Sequence, residues 1–196
     1  MKGYIYITSS GFDPEKGKDL KDPFLGPIAT LGGCMPNIRR HVVVGDRIFV
    51  ISGRIRGHSQ YVIGGLEVAE IIDPLSAYER FPEQRLHKSA DGLIRGNVLV
   101  LPDGTQHPLD NHPTKTFSER VKNYIVGRNP LVLRLPEEIA RGREETVSAL
   151  RRIMGKNGTT PIEIIGRWSK LDEHQVSEMS GWLQAIKQGN AVAPAP

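Results

Sequence analysis

Residues 41–72, HVVVGDRIFVISGRIRGHSQYVIGGLEVAEII, are the most informative part of the chain. Within this stretch, residues 48–51 form an unbroken apolar run, which is typical of a short strand buried on both faces. Gly45 and Asp46 are a turn pair in front of that run, and residues 61–68 have the composition of a return strand. The pattern predicts a hairpin of two strands joined by a basic loop.

The loop of this hairpin is a candidate ligand wall. It carries Arg54, Arg56 and His58 between Gly53 and the return strand. Cationic or titratable groups on a loop between rigid strands suit a phosphate or an acidic partner. A solvated hairpin tip without a ligand explains the same residues, so both interpretations stay open.

Composition and charge narrow the class of protein. The 196 residues can bury one sizeable core, and we expect a single α+β domain over residues 1–190 with a disordered tail over 191–196. With 26 basic residues against 22 acidic ones, the net charge of +4 is too small for general polyanion binding. Any contact with nucleic acid must therefore come from a local patch.

Cysteine content and hydropathy bear on the compartment. A single cysteine, Cys34, excludes an internal disulfide framework and fits a reducing environment. The sequence has no apolar stretch of transmembrane length and no signal-peptide pattern at its start. We therefore expect a cytoplasmic protein without a membrane partner.

Strand and helix patterns are segregated along the chain, which indicates α+β and not repeating βαβ units. Outside the hairpin, strands are expected at residues 4–7, 28–31, 97–101 and 131–135. A helix is expected from Pro136, because proline and then acidic residues are favoured in a first helical turn. It should bury a stripe of Ile139, Val147, Leu150 and Met154 and end at the glycines of residues 155–158.

The last helix has the clearest pattern. Asp172 is followed three residues later by Gln175, as in a capping box. One helical face then carries the apolar residues Val176, Met179, Leu183 and Ile186. Nothing before it resembles the partner helix and tight turn of a helix-turn-helix, so we expect this face to be core or interface.

The hairpin residues also carry a resemblance to a known superfamily. Residues 45–53, GDRIFVISG, followed by residues 65–70, GLEVAE, resemble the strand and return strand of PUA/EVE-like domains. The resemblance implies a small, partly closed β-barrel with the C-terminal helices packed on it. It also implies binding of RNA or of modified bases in DNA.

A second resemblance covers more of the chain. Residues 28–40, IATLGGCMPNIRR, resemble the N-terminal pattern of the nucleotide-modification-associated domains of bacteria and phages. Residues 107–112, 123–127, 165–167 and 171–175 extend that resemblance towards the C-terminus. It implies a role in the biology of modified nucleotides or in phage defence, and it supplies no catalytic residue.

Residues 34–40 are the first candidate site. Arg39 and Arg40 follow a Gly-Gly loop and could grip a phosphate with paired guanidinium donors. In an extended segment, however, the two side chains would point to opposite sides, and one could instead pair with a core carboxylate. Cys34 is a nucleophile only if its thiolate is stabilised, and a packed, unreactive thiol is the favoured interpretation.

Residues 107–112, HPLDNH, are the second candidate site. Their side-chain types suit Zn, Mn or Fe, but the spacing matches no strong metal motif. A structural loop in which Asp110 and Asn111 bond to the local backbone is favoured, and we expect no metal and no cofactor. The alternative is a hydrolase- or transferase-type enzyme acting on a nucleotide or nucleobase through Cys34 or through His107, Asp110 and His112.

The favoured function is recognition of a nucleotide or of a modified base in nucleic acid, with the hairpin as the pocket. Aromatic walls would stack on the base, and polar side chains would read its edge. A protein-interaction module acting through the last helix is a third interpretation. The expected ligand-binding residues are Arg39, Arg40, Phe49, Ser52, Arg54, Arg56, His58, Gln60 and Tyr61.

Overall fold

The computed structural model describes residues 1–189. Its strands are β1 (Gly3–Ile7), β2 (Ala29–Leu31), β3 (Arg47–Ile51), β4 (Val62–Ile72), β5 (His87–Lys88), β6 (Ile94–Arg95), β7 (Tyr124–Val132) and β8 (Trp168–Leu171). Its α-helices are α1 (Pro36–Arg39), α2 (Pro74–Arg80), α3 (Phe117–Val121), α4 (Pro136–Met154), α5 (Pro161–Ile165) and α6 (Glu173–Lys187). Short 3₁₀ turns cover Pro82–Gln84 and Thr114–Thr116.

The main sheet is mixed and has six strands, hydrogen-bonded in the order β2-β7-β4-β3-β1-β8. Strand β1 is parallel to β3 and antiparallel to β8, while β2 is antiparallel to β7. The prediction of an α+β protein is confirmed. Within the described residues this sheet has two edge strands, β2 and β8, so it is not a closed barrel.

The chain divides into two compact units. Unit 1 comprises Met1–Asp19, Gly45–Leu66 and the described part of Asn129–Pro196, and unit 2 comprises Leu20–Val44 and Glu67–Arg128. The single domain expected over residues 1–190 stays a prediction. The expected tail, residues 191–196, lies outside the described residues.

The core of unit 1 is built on the β1 and β3 strands predicted from their apolar runs. Ile5 pairs with Phe49 in the parallel register, and both side chains are almost wholly buried. Helices α5 and α6 pack on β1, and α4 packs on α5 and α6. The expected stripe of α6 is buried as predicted: Val176, Met179, Leu183 and Ile186.

Helix α4 begins and ends where the sequence predicts. Pro136 lies in its first turn, and the left-handed Gly155, with φ of 61°, ends it. Of the four residues in the predicted stripe, Ile139 and Leu150 are buried, whereas Val147 and Met154 are half-buried. The hydrophobic face is therefore slightly rotated from the predicted one.

Two glycines in β4 allow close approach of neighbouring backbone. A Cβ on Gly64, whose φ is 153°, would lie 2.2 Å from the carbonyl oxygen of Leu131. A Cβ on Gly65 would lie 2.5 Å from the carbonyl oxygen of Ile48. The Gly-Gly pair thus serves strand packing within unit 1.

Unit 2 contains its own hydrophobic cluster, in which the rings of Phe81 and Tyr124 stack with centroids 5.9 Å apart. The buried members of the cluster are Ala77, Phe81, Leu86, Val98, Leu99, Val100, Val121, Tyr124 and Val126.

No helix among residues 1–189 has the length and apolar character needed to cross a membrane.

The prediction of a strand at residues 97–101 is wrong. Val98 and Val100 are buried, but they form only isolated bridges, to Arg85 and to Gln106. Gly96 in front of this run has φ of 90°, which breaks the extended conformation. The apolar side chains of this run are buried, but its backbone does not form a strand of a sheet.

The strand predicted at residues 131–135 was placed too late in the sequence. Strand β7 runs from Tyr124 to Val132. Beyond it, the backbone N–H groups of Arg134 and Leu135 donate to the Glu138 carboxylate, at 2.6 and 3.2 Å. The start of α4 therefore takes the backbone donors that a longer strand would have used.

Candidate functional site

The candidate site is a pair of loops in unit 1. Residues 8–19 follow β1 and residues 52–60 follow β3, and because these strands are parallel neighbours, both loops leave the same edge of the sheet. The Gly53 N–H donates to the Phe12 carbonyl at 2.7 Å, and the Gly11 N–H donates to the Arg54 carbonyl at 3.2 Å. We call these residues the loop pair.

Arg143 of α4 ties the two loops together. Its guanidinium donates to both oxygens of Asp13, at 2.8 and 3.0 Å, and to a carboxylate oxygen of Glu15 at 3.0 Å. It also donates to the carbonyl of Ser59 in the second loop at 2.5 Å. Arg143 therefore holds the loops in register and offsets the charge of two acidic residues.

The ion pairs of Arg143 with Asp13 and Glu15 keep their charges at neutral pH. Burial by itself would raise the pKa of Asp13, but hydrogen bonds from Arg143, Lys16 and Glu15 together hold that pKa below its ordinary value. Burial would likewise lower the pKa of Arg143, and its bonds to Asp13 and Glu15 outweigh this and raise the pKa. Both partners thus remain ionised at neutral pH, and the ion pair between the first loop and α4 keeps its charge.

The tip of the second loop is a tight turn. The His58 N–H donates to the Ile55 carbonyl at 3.2 Å, and Gly57 takes the left-handed φ of 78° between them. Ile55 packs on the first loop so closely that a Cβ on Gly17 would lie 2.8 Å from its Cδ1 atom. Arg56 is therefore presented on a turn anchored by an apolar contact.

The loop pair has exposed cationic side chains that make no ion pair or hydrogen bond within the described residues. Lys18, Arg54, Arg56 and His58 are all exposed, and none of them has an ion-pair or hydrogen-bond partner for its side chain within residues 1–189. Arg143 has already offset Asp13 beneath them, so their charge is available to a ligand. An anion is the complementary partner.

The two aromatic side chains predicted as pocket walls are buried inside unit 1. Phe49 is 1% exposed and Tyr61 is wholly buried. The Arg143 guanidinium covers the Tyr61 ring at 4.6 Å from its centroid, and burial raises the pKa of the Tyr61 hydroxyl. Phe12, half-buried in the first loop, is instead the aromatic side chain of the loop pair that a ligand can reach.

Two of the polar residues predicted to read a base edge, Ser52 and Gln60, bond to backbone groups of their own loop. The Ser52 hydroxyl is buried and accepts from the Tyr61 N–H at 3.1 Å. The Gln60 amide donates to the Ser52 carbonyl at 2.7 Å. Of the three predicted edge contacts, only His58 is exposed.

In unit 2, the two adjacent arginines have different environments. Arg39 is 0% exposed, whereas Arg40 is exposed and donates to the Asn37 side-chain oxygen at 2.5 Å. All five N–H donors of Arg39 are taken by backbone carbonyls, so none of them remains for the predicted contact with a ligand. These carbonyls belong to Gly33, Cys34, Arg120, Lys122 and Asn123.

The Gly-Gly-Cys loop is organised by Asp22. Its buried carboxylate accepts from the N–H groups of Gly32, Gly33 and Cys34 and from the side-chain amide of Asn97. Burial and the neighbouring Asp22 charge raise the pKa of Cys34 to about 12. The thiol is therefore protonated at neutral pH, which argues against Cys34 as a nucleophile.

The loop at residues 107–112 contains a compact hydrogen-bond network. The Asp110 side chain is 1% exposed and lies 2.5 Å from Nδ1 of His112, while the Gln106 amide donates to its other oxygen at 2.9 Å. His107 Nδ1 accepts from the Leu109 N–H at 3.1 Å. Within residues 1–189, no group of three or more His, Cys, Asp or Glu side chains is arranged to hold a metal ion.

The ligand-binding residues expected from the sequence do not include Phe12, Lys18 or Arg143, which belong to the loop-pair site. Phe12 and Lys18 lie in a segment predicted only as a long loop, and their place beside Arg54 depends on the parallel pairing of β1 with β3. Arg143 lies on a helix that the sequence predicts well, but its partners are more than 80 residues away. No local pattern reveals such a contact.

Comparison with known proteins leaves the resemblances untested. No protein-family model, no curated protein and no solved structure matches the chain. Membership of the nucleotide-modification-associated family therefore stays a prediction from the quoted residues.

Proposed function

We propose that this protein binds nucleic acid or a nucleotide through the loop pair. One observation carries the proposal: the side chains of Lys18, Arg54, Arg56 and His58 are exposed and have no ion-pair or hydrogen-bond partner within the described residues, on two loops that Arg143 joins by hydrogen bonds. A locally concentrated positive charge is what a chain with a net charge of only +4 needs in order to attract a polyanion.

The chemistry of recognition follows from these side chains. Arg54 and Arg56 can each donate two parallel hydrogen bonds to a phosphate. Phe12 offers a flat apolar face on which a base of a single strand, or a base flipped out of a duplex, can stack. Phosphate contacts supply affinity and fix the orientation of the strand, and stacking of the base adds further binding energy.

Preference for a modified base is the finer part of the proposal. It is supported by the resemblance of residues 28–40 to nucleotide-modification-associated domains and of residues 45–53 to PUA/EVE-like domains. His58, the last residue of the turn, is exposed and has an imidazole that could read a base edge. A role in nucleic-acid modification or phage defence rests on the same resemblances.

Salt-dependent binding tests the phosphate contacts. Labelled single-stranded DNA and RNA are titrated with the protein by fluorescence anisotropy between about 50 and about 200 mM salt. The Arg54→Ala/Arg56→Ala variant should weaken binding and reduce the slope of log affinity against log salt by about 1.4 if each arginine contacts one phosphate. Binding that is independent of salt would contradict the proposal.

The matched control is Lys156→Ala/Lys170→Ala. It removes the same charge from two exposed residues: Lys156 follows the C-terminal end of α4, and Lys170 pairs with Tyr4 at the beginning of β1, away from the loops. This variant should keep the wild-type salt slope. An equal loss in both double variants would show that only net charge matters.

A stacking test separates base contacts from charge. Phe12→Ala should weaken binding of the same oligonucleotides about tenfold, while Phe24→Ala, at an exposed aromatic in unit 2, should not. A panel of oligonucleotides with modified and plain bases then tests discrimination. Equal affinity across the panel would remove the modified-base part and leave a nonspecific binder.

A further inference from the structure

The loop at residues 107–112 contains a carboxylate–imidazole pair that binding by the loop pair does not use. Asp110 Oδ1 lies 2.5 Å from His112 Nδ1, with the Asp110 side chain 1% exposed and the His112 side chain 32% exposed. Gln106 donates to Asp110 Oδ2 at 2.9 Å and to the His112 carbonyl at 2.9 Å. The carboxylate is therefore buried and fixed, while the imidazole reaches the surface.

Hydrogen bonding fixes complementary tautomers in the two histidines of this loop. In a neutral His112, the Asp110 carboxylate accepts from Nδ1–H, which leaves the lone pair on Nε2, and Nε2 has no partner among the described residues. His107 Nδ1 instead accepts from the Leu109 N–H, which leaves the proton on its Nε2 atom. One imidazole thus presents a base, and the other presents a hydrogen-bond donor.

Both histidines line one open depression of about 610 Å³, which is large enough for a small organic ligand. Of the described residues that line it, none is lysine or arginine, so a phosphoryl group would find no cation to balance its charge. An uncharged carbonyl group has no such requirement. The lining residues are Thr105, Gln106, His107, Pro108, Asp110, Asn111, His112 and Thr114.

We propose that Asp110 and His112 form a catalytic dyad that hydrolyses uncharged carboxylic esters. Nε2 of His112 takes a proton from water as the water oxygen forms a bond to the carbonyl carbon, and Nε2–H of His107 donates to the developing oxyanion. The bond between that carbon and the alcohol oxygen then breaks, and His112 gives its proton to the departing alkoxide. Water and ester become acid and alcohol, and Asp110 acts as a positioning residue.

Turnover of p-nitrophenyl acetate by the full chain tests the proposal. His112→Ala should lower kcat about 100-fold, the contribution typical of a general base. Asp110→Asn should lower kcat with little change in KM, because its amide can donate to Nδ1 and so favour the wrong tautomer. Equal rates in the wild type and in folded His112→Ala, checked by circular dichroism, would overturn the proposal.

The matched control is His87→Ala. His87 is an exposed imidazole whose Nδ1 lies 2.9 Å from the Arg85 carbonyl, so it too presents Nε2, but without a buried carboxylate behind it. This variant should keep the wild-type rate with p-nitrophenyl acetate. A loss equal to that of His112→Ala would reduce the activity to nonspecific imidazole catalysis and overturn the dyad.

A measurement on the unmodified protein covers the case in which the variants fail to fold. Long-range ¹H–¹⁵N NMR spectra report which nitrogen of each imidazole carries the proton. The proposal requires Nδ1–H in His112 and Nε2–H in His107 at a pH where both are neutral. The opposite tautomer in His112 would place a proton and not a lone pair on Nε2, and it would overturn the proposal.

Discussion

At the scale of single residues, burial decides what a charged side chain does. Arg39 and Arg40 are adjacent, yet the first satisfies five backbone carbonyls inside unit 2 and the second lies at the surface. A guanidinium has five donors in a fixed plane, which suits a cluster of carbonyls as well as it suits a phosphate. The sequence pattern of two arginines after a Gly-Gly loop does not distinguish these roles.

Substitution of each arginine tests this assignment. Arg39→Ala should lower the free energy of unfolding by about 3 kcal/mol or more, because several buried carbonyls lose their donors. Arg40→Ala should change it by no more than about 0.5 kcal/mol. Urea denaturation of both variants measures the difference, and similar losses in the two would contradict the assignment.

At the scale of elements, β4 depends on contact between backbones. Gly64 lies so close to the Leu131 carbonyl that no side chain fits between them, and its φ of 153° is unfavourable for other residues. A Cβ on Gly181 in α6 would meet no neighbouring atom within 4 Å, and the φ of this glycine is not unusual. The same residue type is thus required in one element and replaceable in the other.

Alanine at these two glycines should have opposite effects. Gly64→Ala should destabilise the protein by about 2 kcal/mol or more, since β4 must move away from Leu131. Gly181→Ala should stabilise it by about 0.5 to 1 kcal/mol, because alanine loses less backbone entropy in a helix. Thermal and chemical denaturation check both, and a tolerated Gly64→Ala would contradict the close approach.

At the scale of the whole molecule, carboxylates tie distant segments together. Asp13 binds Arg143 of α4, and Glu138 binds Lys187 at the end of α6. Burial would raise the pKa of Glu138, but the backbone N–H of Arg134 and the charge of Lys187 hold it below its ordinary value, as the bonds of Asp13 do for its pKa. Folding therefore favours the ionised form of both groups.

Stability should consequently fall in acid. A carboxyl group whose folded pKa lies below its unfolded value contributes fully above that unfolded value, near pH 4, and the contribution is lost as pH falls through the folded pKa. We expect Asp13→Asn to be about 1 to 2 kcal/mol less stable than the wild type at pH 7, and the difference should shrink towards pH 3.

Urea unfolding at a series of pH values measures this convergence. Glu144→Gln serves as the control, because Glu144 is exposed and its side chain has no partner within residues 1–189. Its effect should be small at every pH. A constant gap between Asp13→Asn and the wild type down to pH 3 would show that the Asp13 charge does not contribute through its pKa.

Much of the fold could be predicted, but less of the candidate site. The apolar runs of β1 and β3 and the capping residues of α4 and α6 are local patterns, and these elements lie where they were expected. Residues 97–101 have the same apolar pattern but form no strand, because an apolar run indicates that its residues are buried and does not indicate that its backbone pairs with a neighbouring strand. Of the predicted ligand-binding residues, Arg40, Arg54, Arg56 and His58 are exposed, whereas Phe49 and Tyr61 are core.

The α+β class, the basic turn around Arg56, both ends of α4 and the start of α6 could be predicted from the sequence alone, because caps, turns and periodicity act between near neighbours. The approach of the loop with Phe12 and Lys18 to Arg54, and the bonding of Arg39 to backbone carbonyls, became visible in the folded structure. Those outcomes depend on contacts between residues far apart in the chain. Burial and partner choice arise from such contacts, and a residue's type and immediate neighbours do not specify them.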